Sequence, residues 1–75
     1  MMTTDQRLAY MAGQILRNFG ARGPKRAIRD AAEHLHLYWD PGMKARARAM
    51  MGDAALDLPE GVRAVFASLQ DREPA

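Results

Sequence analysis

Cysteine is absent from this chain, which excludes disulfide crosslinks and every metal site built on thiolates. Aromatic material is scarce: one tryptophan, two tyrosines and two phenylalanines in 75 residues. Serine occurs once, at Ser68, and no nucleophile–base pair, carboxylate pair or glycine-rich phosphate loop is evident. Independent catalysis is therefore not expected. No apolar run approaches the roughly 18 residues a membrane span needs, so no membrane association is expected. The opening "MMTTDQRLAYMAG" has no basic stretch leading into an apolar one, so no signal peptide is visible. Both absences, with that of cysteine, point to the cytoplasm. No stretch alternates β-branched and polar residues, so strands are not expected.

What is present makes one domain, residues 1–75. A chain of this size buries only about 60% of the surface its unfolded form exposes, so its own core is thin. Without crosslinks, a partner is the leading source of extra stability.

The order of residues predicts an all-α fold of about four short helices. Thr3 and Gln6 fit a capping box at the start of the first. Leu8, Met11, Ala12, Ile15 and Phe19 then share one face at helical spacing. Gly20 is expected to stop this helix in the left-handed conformation, with "GARGP" as the connection. Pro24 suits the first turn of a second helix, whose stripe is Ile28, Ala31, Ala32, Leu35 and Trp39. Asp40-Pro41 ends it, because the residue before a proline is pushed out of the helical region. The same pair starts a third helix, with Asp40 as N-cap. Met43, Ala47 and Met50 line that helix, Met51 lies at its edge, and Gly52 closes it. Pro59 and Glu60 open a fourth, with Val62, Val65, Phe66 and Leu69 as its stripe. The closing "DREPA" reads as a frayed tail.

Charge is unevenly spread. Residues 17–48 carry eight basic residues against three acidic, a net of +5, and residues 49–75 carry two against five, a net of −3. Such asymmetry can steer a charged partner, or it can be a solvated surface. Lys44, Arg46 and Arg48 could touch phosphates, but no base-reading Asn or Gln accompanies them on the third helix. A small basic nucleic-acid-binding regulator is the alternative function, and no nucleic-acid partner is expected. His34 and His36 form H-x-H. Two apart on a helix, they point to different faces and are read as surface histidines, not metal ligands.

Two apolar residues fall off the stripes. Tyr10 projects about opposite the Leu8–Met11–Ile15 face, and Leu37 opposite the Ile28–Leu35 face. They are the natural candidates for a docking surface, joined by residues around the Trp-Asp-Pro corner. The expected partner-binding set is Tyr10, Leu37, Tyr38, Trp39, Met43, Lys44, Arg46 and Arg48. Trp39 also belongs to the buried stripe, where it is expected to pack over the first and third helices. A self-associating helical module is the remaining reading.

Three blocks carry a family resemblance: "LAYMAGQIL" from Leu8 to Leu16, "HLHLYWDPGMKARA" from His34 to Ala47, and "LPEGVRAVFASL" from Leu58 to Leu69. In this order they resemble the delta subunit of NAD-dependent, molybdenum-containing formate dehydrogenases. The departures are Gly42, where that family usually has Arg, and the basic loop Ala21–Arg26. The resemblance implies an accessory subunit that binds no cofactor itself. It implies an alpha subunit as partner, holding bis-molybdopterin guanine dinucleotide and iron–sulfur clusters. It further implies a complex with beta and gamma subunits that carry electrons through FMN to NAD. The role implied is docking on the alpha subunit to support its cofactor loading, assembly or stability.

Overall fold

The computed structural model describes residues 2–73. Four helices follow in order: α1 Thr4–Asn18, α2 Pro24–Tyr38, α3 Pro41–Met51 and α4 Glu60–Arg72, with a 3-10 turn at Gly20–Arg22 between the first two. No strand occurs among the described residues, and no described helix is long and apolar enough to cross a membrane.

Local chemistry sets the helix starts. The Thr3 hydroxyl accepts from the Gln6 N–H at 3.1 Å, and the Thr3 N–H donates to the Gln6 side chain at 2.9 Å. Two otherwise orphaned donors are satisfied reciprocally, as the capping box requires. Asp40 Oδ1 accepts from the Met43 N–H at 2.8 Å, and Pro41 behind it gives up an N–H that no helical carbonyl would have met. The Trp-Asp-Pro corner is thus a helix end and a helix start sharing one residue.

Two expectations about the ends are corrected. Gly20 does not adopt the left-handed conformation: Phe19 caps α1 and Gly20 enters the 3-10 turn. The one positive φ among the described residues is at Gly23, 92°, where the chain reverses into Pro24. A β-carbon would be strained there. The expected frayed tail is also wrong for Asp71, Arg72 and Glu73. Helix α4 runs through Arg72, Arg72 donates to the Arg29 carbonyl at 3.2 Å, and Glu73 is ion-paired to Lys44. Pro74 and Ala75 lie outside the described residues.

α2 and α4 form the most extensive helix pair. Ala31, Ala32 and Leu35 from α2 meet Val65, Phe66 and Leu69 from α4 in a cluster closed to solvent. The alanines have nothing beyond a β-carbon to hold the backbones apart. Trp39 is buried and packs on α4, its ring centroid 6.2 Å from that of Phe66. Ala47 and Met50 seal the core from α3, while Leu56 and Leu58 pin the link between α3 and α4 onto it.

α1 is turned from the orientation its apolar spacing suggests. Leu8 and Ala12 are buried, but Met11 is 37% exposed. Ala9 and Leu16 pack partly against the core instead. In helical steps of about 100°, Ala9 and Leu16 lie on the opposite side of Leu8 and Ala12 from Met11. On this side α4 comes close: a β-carbon on Gly61 would lie 2.8 Å from Leu16 Cδ2.

Candidate docking surface

A groove of about 870 Å³ opens along the outer side of α1. Ala9, Tyr10, Gly13 and Leu16 form one wall, Ala27 and Ile28 of α2 another, and Pro59 and Gly61 its end at α4. Its lining is mostly apolar. Small residues make the space: a β-carbon on Gly20 would meet nothing within 4 Å, and one on Gly13 would reach Val62 Cγ2 at 3.6 Å. Tyr10 is 57% exposed, and its hydroxyl accepts from Gln14 Nε2 at 3.0 Å. The ring therefore stands fixed at the groove's lip.

Of the eight expected partner-binding residues, only Tyr10 lines this groove. Leu37 and Tyr38 are 64% and 73% exposed at the C-terminal end of α2. Tyr38 stacks on His34 with centroids 4.7 Å apart, His34 meets Phe19 edge-on at 6.4 Å, and the Arg22 guanidinium lies 5.0 Å from the Phe19 ring. His34 is thus one rung of an aromatic ladder. Trp39, expected in the partner-binding set, is only 6% exposed. At that burial it presents the closed domain's surface with almost nothing for a partner to hold. Met43 is half-buried against the core.

Each cation of the α3 basic run has a bonding partner within the chain, with Arg46 and Arg48 still exposed. Arg46 forks onto Asp5, Nε at 2.5 Å from Oδ1 and an Nη at 2.6 Å from Oδ2. This bidentate bond holds the Asp5 carboxyl below the ordinary aspartate range and raises the Arg46 guanidinium. Lys44 Nζ lies 3.0 Å from Glu73 Oε1 and donates to the His36 carbonyl at 3.2 Å. His36 Nδ1 meets the other oxygen of Glu73. Lys44 first and His36 second hold the Glu73 carboxyl below its usual range. Arg48 Nε donates to Gln70 Oε1 at 2.7 Å. The basic middle thus meets the acidic tail at one point, where Lys44 and His36 converge on Glu73. Among the described residues no group of three or more His, Asp or Glu side chains comes together as metal ligands would.

Sequence reasoning missed the groove's floor. Leu16 and Ile28 were visible as apolar residues, but the opening lies where three helices meet, between α1, the start of α2 and the start of α4. The one sequence signal was the pair of small residues four apart, Ala9 and Gly13, on the same side of α1 as Leu16.

The family model of the NADH-dependant formate dehydrogenase delta subunit FdsD matches residues 7–72. The chain belongs to this family. No curated protein matches it, and no solved structure does. The delta-subunit match runs from the groove wall on α1 to the last turn of α4. The three blocks of the resemblance fall on distinct parts of the fold: Leu8–Leu16 forms the groove wall, His34–Ala47 the helix corner, and Leu58–Leu69 the α4 half of the core.

Proposed function

We propose that this delta-family chain docks on the molybdenum-bearing alpha subunit of an NAD-dependent formate dehydrogenase and supports its cofactor loading, assembly or stability. It does no chemistry of its own in this reading. Bis-molybdopterin guanine dinucleotide and iron–sulfur clusters belong to the alpha subunit, and flavin and NAD to the beta and gamma subunits. The observation that carries the reading is the open apolar groove with Tyr10 at its lip. A concave, mainly apolar groove with a few polar groups at its edge is the default candidate for a binding site. Tyrosine is well suited to anchor one, because it offers a large rigid area and a polar tip. The family membership supplies the complex to which such a partner belongs.

The experiment is to purify the alpha subunit from cells that lack this chain. Its molybdenum content and formate oxidation are expected to fall sharply, and both are expected to return when the chain is supplied. Normal metal loading and normal turnover without the chain would show the role to be wrong.

A further inference from the structure

We propose that the α1 groove receives an amphipathic helix of the alpha subunit whose apolar face is flanked by acidic residues. This rests on the docking role above and specifies the face used and the kind of segment it takes. Shape is the first support. Gly20 faces open space on one wall, while Tyr10, Leu16 and Ile28 present apolar surface. Such a trough suits the anchors that a helix projects at every third and fourth position.

Charge selects the flank. The three cations of α3 are bonded to other parts of the chain. The cations around the groove are not. Arg17 lines it, Arg7 lies on the same side of α1 as Tyr10 and Gln14, and Lys25 follows Pro24 at the α2 end. All three are exposed, and none forms an ion pair among the described residues. Glu60, beside Gly61, is the acidic group on the border. A helix with basic flanks would set like charges against Arg7, Arg17 and Lys25, and like-charge juxtaposition at an interface is costly. The same rim opposes a second copy of this chain, since a two-fold pairing places each patch against itself.

The test uses the full chain and two synthetic peptides of about five helical turns. Both carry leucines at helical spacing, one with glutamate flanks and one with lysine flanks, and binding is read by fluorescence anisotropy. The glutamate peptide is expected to bind at least about tenfold tighter, a difference of about 1.4 kcal/mol, and to lose that advantage as salt rises. Arg17→Glu with Lys25→Glu is expected to reverse the preference. Tyr10→Asp is expected to weaken both peptides, with circular dichroism confirming that each variant is folded. Equal affinity for the two peptides, preference for the lysine peptide, or a dimer that Tyr10→Asp abolishes would overturn the proposal. Capture of the alpha subunit by the tagged chain separates this from the docking role. If the wild type retains the alpha subunit and Arg17→Glu/Lys25→Glu retains it equally, the groove proposal falls and docking stands. If the peptides discriminate as expected but the alpha subunit is not retained, the groove's acidic preference stands and the docking role falls.

Discussion

At Glu73 one carboxylate takes contacts from two helices, Lys44 of α3 and His36 of α2. Its carboxyl is held below the ordinary glutamate range by those contacts. A group whose folded pKa is depressed binds fewer protons folded than unfolded. Its stabilisation is therefore present above the unfolded value and is lost as pH falls through the folded one. Glu73→Gln is expected to lower the melting temperature at pH 7. The gap to wild type is expected to narrow between about pH 5 and pH 3, as the wild-type carboxyl takes up its proton. Thermal melts across that range check it, and a gap that stays constant down to pH 3 would show that the Glu73 charge is not what holds the end of α4. Asp40 is the other single residue with a clear role. Its side chain meets the Met43 N–H at 2.8 Å, and Asp40→Ala is expected to cost about 0.5–2 kcal/mol in urea denaturation.

The ends of the elements were legible in the sequence where a side chain or a ring fixes them locally. Thr3 with Gln6, Pro24 after Gly23, and Asp40-Pro41 each act within three residues, so spacing reveals them. The apolar stripes of α2 and α4 were legible, but not that these two helices pair: Trp39, expected over the first and third helices, meets Phe66 of α4. What was not legible depends on residues far apart. Glu73 finds His36 across 37 positions, and Arg46 finds Asp5 across 41; no local pattern encodes either. Hence a tail that reads as frayed is held, and the basic residues of α3 each find a partner within the chain. The orientation of α1 is of the same kind, since its Leu16 side packs close to Gly61 of α4. At that position an added β-carbon would press on Leu16 Cδ2 at 2.8 Å, the free end of a half-buried side chain. Gly61→Ala restricts the unfolded chain, a gain of about 0.4–1 kcal/mol, which offsets the displacement of Leu16. Stability is expected to change by less than about 1 kcal/mol by these opposing terms. Amide shifts are expected to concentrate along the groove from Ala9 to Arg17. Shifts spread over the α2–α4 core would show that Leu16 does not absorb the change.

As a whole the molecule is slight, with extents of 30 × 29 × 20 Å and a core of a few large side chains packed among alanines. At roughly 0.05–0.15 kcal/mol per residue, a domain of this length sits only a few kcal/mol above unfolding. The long-range ion pairs add little, since exposed pairs contribute about 0–1 kcal/mol each. The isolated chain is expected to melt cooperatively and well below the roughly 90 °C that marks hyperstability, with a higher midpoint once the alpha subunit is bound. Calorimetry of the chain alone and in the complex checks both.

Trp39 is the chain's one tryptophan, it is 6% exposed beside Phe66, and it takes no part in lining the groove. The protein therefore carries its own optical gauge. Ultraviolet emission from the indole reports whether the helices are closed and is insulated from events at the groove. A partner filling the groove leaves the colour of that light nearly unchanged, whereas any contact that pries the Trp-Asp-Pro corner away from α4 shifts it to the red. One emission spectrum separates a guest that settles on the folded surface from one that opens the fold.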